Sequence, residues 1–177
     1  MSRRVLLPGT RRLPAAAAPD LRGRSHRVDV ELRAALGRSE GVLLACGDGR
    51  AGTALHVERS RLVHTYHHGG TSSVVASEDL TSEVTVLAVE LTAAGDEGAA
   101  VVLLADGAPV GRGRIDRAAR SRLTYAGLDV GLDRGPGVGD YRAPFSFTGS
   151  IRQVVVRTDP SPDLDQAAAM AVELATG

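Results

Sequence analysis

The chain reads as an all-β protein, two antiparallel sheets packed face to face, and three features of its 177 residues predict this. Short segments of alternating apolar and polar residues recur at near-regular spacing. Gly, Asp, Ser and Pro punctuate them, and no amphipathic helical pattern intervenes to supply the crossovers that a parallel sheet requires.

Taken in order, residues 1–24 are rich in Arg, Pro and Ala without a sustained period and read as an extended arm or linker laid over another surface. From His26 the pattern changes: Val28, Val30, Leu32, Ala34 and Leu36 alternate with Arg27, Asp29, Glu31, Arg33 and Ala35, a period of two that buries one face of a strand. Shorter strands are expected at 41–46, 53–58, 61–67, 72–77, 84–91 and 99–105. Asp106-Gly107 supplies the positive φ angles of a tight hairpin, so 99–105 should pair antiparallel with 109–115. Leu128 and Val130 flank Asp129 in a further strand, a loop of Gly, Pro and Asp follows, and the apolar pattern resumes at Phe145, Phe147, Ile151, Val154 and Val156. Pro136, Pro144 and the aromatics around them should pin that loop. Ser161-Pro162-Asp163 offers an N-cap, a first-turn Pro and an acid ahead of Leu164, Ala167, Ala168, Ala171 and Leu174, which predicts a short C-terminal helix. The expected organisation is therefore an arm over 1–24, a sandwich over 25–158 and a helical tail over 159–177.

Composition narrows function. Twenty-one basic residues, all Arg, balance twenty-one acidic ones, so no long-range field draws in nucleic acid or an anionic membrane. The absence of Lys, Asn and Trp is the bias of GC-rich bacterial coding. Cys46 is the only cysteine and excludes an internal disulfide. Three apolar residues before Pro8 are too few for a signal-peptide core and no later run is long enough to span a bilayer, so a cytoplasmic location is expected.

Four segments, LLPGTRRLPAAAAPDLRGRSHRV (6–28), EGVLLACG (40–47), RLVHTY (61–66) and GLDVGLDRGPGVGDYRAPFSFTG (127–149), together resemble the C-terminal domain of bacterial arylsulfatases. The FTGSIRQV strand and the DG hairpin are shared with the wider laminin-G and concanavalin-like jelly rolls, whereas the LPGxxxLPxxxAPD arm with RSH and the DYRAPFxFTG loop are more particular to the sulfatase tail. The resemblance implies an accessory β-sandwich that packs beside a sulfatase catalytic domain. It also implies what chemistry would need: a Cys-x-Pro-x-Arg or Cys-x-Ala-x-Arg signature for formylglycine and an Asp/Asn cluster for calcium. Cys46-Gly47-Asp48-Gly49-Arg50 has the spacing, but Asp48 replaces Pro or Ala, and the run reads as a turn between strands with a half-buried thiol.

Other constellations carry weaker signals. His64 and His68 share a face of one strand, with His67 between them, without an evident third metal ligand; solvent-facing strand histidines are the simpler expectation. Asp129, Asp133 and Asp140 around a Gly-rich loop are a candidate calcium set, set against the habit of Asp to bond its own backbone in turns; no other cofactor is indicated. Tyr141, Phe145 and His68 are candidate stacking faces for a sugar, and Arg134, Asp140, Tyr141 and Arg142 are the candidate contacts for a ligand or partner, the two arginines suiting a sulfate or carboxylate. The basic stretches 111–114 and 117–122 lack interleaved aromatics and read as an exposed connection. Ser25-His26 cannot act as nucleophile and base, because adjacent strand residues point to opposite faces. The expectation is a non-catalytic accessory domain whose partner is a sulfatase catalytic domain, or which self-associates through apolar surface; the alternative is a lectin-like module for a sulfated or acidic glycan.

Overall fold

The computed structural model describes residues 1–95, 98–117, 127–134 and 137–160. Its strands are β1 (Ser2–Leu6), β2 (His26–Leu32), β3 (Gly41–Gly47), β4 (Ala51–Glu58), β5 (Arg61–His68), β6 (Thr71–Asp79), β7 (Val86–Ala93), β8 (Ala99–Ala105), β9 (Ala108–Ile115), β10 (Leu128–Val130) and β11 (Ile151–Thr158). They form a six-stranded sheet in the order β1-β11-β2-β7-β8-β9 and a five-stranded sheet in the order β10-β3-β4-β5-β6. Every pairing is antiparallel, as the sequence predicts.

The period of two makes the core. Val28, Val30 and Leu32 of β2, Leu87 and Val89 of β7, and Val101 and Leu103 of β8 face Leu55 and Val57 of β4 and Leu62 of β5 across the sheet interface, all of them buried. Each such side chain contributes about 1.5–3 kcal/mol on leaving water, which is what holds the two layers together. The β8–β9 hairpin turns on Asp106 at φ 46° and Gly107 at φ 82°, in line with the Asp-Gly signature.

Three expectations need revision. The alternation after His26 runs to Leu36, but β2 ends at Leu32: Ala34 and Ala35 are exposed, and the chain turns so that the amides of Leu36 and Gly37 donate to the carbonyls of Val84 and Ser82. Residues 2–6 of the arm are a strand, β1, paired with β11 in full register from Ser2–Thr158 to Leu6–Val154. A five-residue strand with four exposed positions shows no buried periodicity in sequence, because its neighbour supplies its bonds. Residues 111–114 lie inside β9 rather than in a connection. The helix expected after residue 160 falls outside the described residues.

The two sheets also meet along one side. A Cβ at Gly111 would stand 2.9 Å from the Ala76 carbonyl oxygen, and one at Gly113 would stand 2.5 Å from Val75 Cγ2. The glycines of β9 thus let its backbone lie against β6 and shut that flank of the sandwich.

Candidate functional site

The outer face of the five-stranded sheet carries the second, smaller core. Val42, Ala45 and Ala54 are buried there beneath Val138, with Tyr141 and Phe145 packed against them. The floor is made of small residues, and Gly52 touches Val138 so closely that its Cβ would stand 3.0 Å from Cγ2. A cover can sit down on the sheet only where side chains are this short. The cover comprises residues 131–134 and 137–147, and it is seated through Gly41: at φ 120° this residue lies where a Cβ would come within 2.3 Å of the Ser146 carbonyl oxygen.

Asp133 organises this cover. Its buried carboxylate accepts hydrogen bonds from the Tyr141 hydroxyl at 2.6 Å and from the Val138 amide at 3.0 Å. Burial, with Asp133 beside it, raises the Tyr141 phenol well above its ordinary range. The Tyr141 ring meets the edge of His56, centroids 4.9 Å apart, and lies 5.4 Å from the Phe145 ring. Burial holds the His56 imidazole neutral, its pKa lowered to about 4. His56 belongs to no motif singled out in the sequence; the signal is its place after Gly52 and Ala54 on the same face of β4, next to the positions a cover requires.

The arm closes an end of the sandwich on the other side of β10. Leu13 and Leu128 exchange backbone hydrogen bonds at 2.9 and 3.0 Å, the Arg12 amide donates to Asp129 at 2.8 Å, and Arg11 Nη1 reaches the Val130 carbonyl at 2.5 Å. Further on, Asp20 pairs with Arg22 at 2.6 Å and with Arg24 at 2.9 Å. Burial works against ionisation of Asp20, but the hydrogen bonds and charges of Arg22, with the charge of Arg24, outweigh it and hold the carboxyl below its ordinary pKa. The Arg24 carbonyl lies 2.9 Å from His26 Nδ1, and burial lowers the pKa of that ring. Between arm and sandwich remains a small cavity of about 80 Å³ lined by Leu13, Ala18, Leu21, Cys46 and Thr53.

Each residue singled out in the sequence now has a position. Arg134, Asp140 and Arg142 are exposed on the cover, whereas Tyr141 is half-buried and spent on Asp133 and His56. Phe145 packs in the smaller core and Phe147 against the main one, so the two do not share the single face that their alternation predicts. The candidate calcium carboxylates are not brought together: Asp129 holds the arm, Asp133 the cover, and among the described residues no group of three or more His, Cys, Asp or Glu is placed to hold a metal. His64 is not solvent-facing. It points into the main core with its Nε2 2.9 Å from Thr53 Oγ1, and burial lowers its pKa to about 3. His67 and His68 are only partly covered. Asp48 accepts the Arg50 amide at 2.8 Å, so the Cys46–Arg50 run is an Asp-centred turn, and burial pushes the Cys46 thiol up to about 11, far from a nucleophile. Ser25 Oγ accepts the Ala93 amide at 3.0 Å while His26 faces inward, so the two form no dyad.

No family model matches the chain, and no curated protein matches it. Solved structures do, and they define the fold class. The CBM40 module of Ruminococcus gnavus IT-sialidase bound to α2,3-sialyllactose superposes with a TM-score of 0.53 at 19% identity, covering 79% of this chain and 78% of that one. Domains LG4-5 of the mouse laminin α1 chain superpose with a TM-score of 0.54 at 16% identity over 89% of this chain and 42% of theirs. The protein is a β-sandwich of the jelly-roll type these domains share. No helix among the described residues is long and apolar enough to cross a membrane.

Proposed function

We propose that the chain is a non-catalytic accessory β-sandwich of the kind found at the C-terminus of bacterial arylsulfatases, acting by contact with a sulfatase catalytic domain encoded separately or lost. One observation carries this reading. The arm bonds to β10, and the polar groups of both distinctive segments find partners within the chain: the Arg12 amide on Asp129, Asp20 with Arg22 and Arg24, and the Tyr141 hydroxyl on Asp133. Residues committed in this way shape a scaffold and leave no activated nucleophile. Co-expression with a bacterial arylsulfatase catalytic domain that lacks its own C-terminal domain tests it. A stable one-to-one complex, with no aryl sulfate hydrolysis by the chain alone, is the expected result. A soluble monomer in sedimentation that ignores the catalytic domain, or turnover that depends on Cys46, overturns it.

A second reading rests on Arg134 and Arg142, both exposed on the cover beside Asp140. Forked guanidinium groups suit a sulfated or acidic glycan, and the fold is one that a sialyllactose-bound module also uses. Binding on a glycan array that disappears in Arg142→Ala supports it; a blank array removes it.

A further inference from the structure

We infer that the outer edge of β1 is an interaction surface that takes an extended, acid-bearing strand from another protein. The inference goes beyond the accessory-domain reading, since it holds for any partner that offers such a strand.

The two sheets have four edges, and three of them are shut within the chain. β6 and β9 lie against each other at the glycines of β9. The edge of β10 is covered by the arm, through the paired bonds of Leu13 with Leu128 and the Val130 amide donating to the Thr10 carbonyl at 3.1 Å. β1 pairs with β11 on one side, and among the described residues nothing pairs with its other side. A strand edge left in this state presents a row of backbone donors and acceptors that only another extended segment satisfies throughout.

The same place concentrates the exposed apolar surface. Of the four large hydrophobics that are exposed among the described residues, Met1, Val5 and Leu7 lie in or beside β1 and Val74 lies elsewhere. Charge then selects the occupant. β1 carries Arg3 and Arg4, both exposed, and no acid, and Arg3 stands opposite Arg157 in register. The register that would pair all five residues of β1 with a second copy sets Arg4 opposite the Arg4 of that copy, a like-charge pair that costs stability. A segment with two consecutive carboxylates opposite Arg4 and Arg3 and an aliphatic residue opposite Val5 answers both faces of the strand.

The probe is the peptide acetyl-Ser-Thr-Val-Glu-Glu-Thr-Val-Ser-amide, added to the full chain and followed by calorimetry and by hydrogen exchange. The expected result is slowed exchange confined to amides of residues 2–6, with affinity about tenfold weaker when both glutamates are lysine. Binding is also expected to be lost when alternate peptide nitrogens are methylated. The variant R3E with R4E changes two exposed side chains, keeps the melting temperature, and is expected to reverse the preference between the glutamate and lysine peptides. Unchanged exchange at 2–6, equal binding of the two peptides, or indifference to backbone methylation overturns the inference. So does a concentration-dependent dimer that already protects 2–6, which would make a second copy the occupant.

Discussion

Residues 10–24 bond to β10 and hold Asp20, Arg22 and Arg24 paired among themselves, whereas residues 131–134 and 137–147 pack a buried carboxylate, a half-buried phenol and the Phe145 ring against the outer sheet. In the arm the Asp20 carboxylate is 27% exposed and answers two arginines. In the cover Asp133 is 3% exposed and accepts hydrogen bonds from the Tyr141 hydroxyl and the Val138 amide. Both segments flank β10, and both bear the motifs that set this sequence apart. Salt should therefore act chiefly on the ion pairs of the arm and packing changes chiefly on the cover, so that each can be loosened without the other.

The largest effect should come from the seat of the cover. Gly41→Ala forces a Cβ to within 2.3 Å of the Ser146 carbonyl oxygen at a φ of 120°, and should cost more than about 4 kcal/mol in urea unfolding, or prevent folding outright. Acid comes next. His56 and His64 have folded pKa values lowered by burial to about 4 and about 3, so the unfolded chain, titrating near 6.5, binds protons that the native chain does not. The stability they contribute is complete above pH 6.5 and falls as pH drops toward those folded values, at about 1.4 kcal/mol per pH unit for each histidine. Denaturation series at stepped pH should show this slope, and His56→Phe should remove its own share of it.

Smaller and more local is Tyr141→Phe, which takes the hydroxyl from Asp133 and should cost about 1.5–3 kcal/mol by urea unfolding at neutral pH, with the arm untouched. The smallest is Asp20→Asn, about 1 kcal/mol at low salt and less at high salt, because the pairs it breaks are partly solvated. The folded pKa of Asp20 lies below its unfolded value, so its contribution is present above the unfolded pKa and disappears as pH falls through the folded one. Equal salt dependence in Tyr141→Phe and Asp20→Asn would erase the contrast between the two segments.

Much of the sandwich was legible because a half-buried strand writes its burial into every second residue. β6 and the first half of β8 follow this rule, whereas β3 and β4 are buried on both faces and stand out as short apolar runs between turn residues. β1 does neither, since an edge strand with exposed side chains is defined by its partner rather than by its own pattern. The expected strand past Leu32 failed for the opposite reason: Leu36 is buried by a turn, not by a sheet, and periodicity alone does not distinguish the two. At the candidate site the sequence placed Asp133 and Tyr141 on one loop but in separate roles, a calcium carboxylate and a ligand contact; the bond between them and their burial depend on β4, about 80 residues upstream, whose small side chains leave the space. His64 was misread because a histidine at a core position looks the same in sequence as one at a wet position; only Thr53, across the strand pair, distinguishes them.

A sulfhydryl that ionises near 11 is deprotonated in only about one molecule in ten thousand at neutral pH, too few for ready exchange with other thiols or capture by mild oxidants. With Cys46 this unreactive and the only cysteine in the sequence, a disulfide-linked form of the chain is not expected on a non-reducing gel.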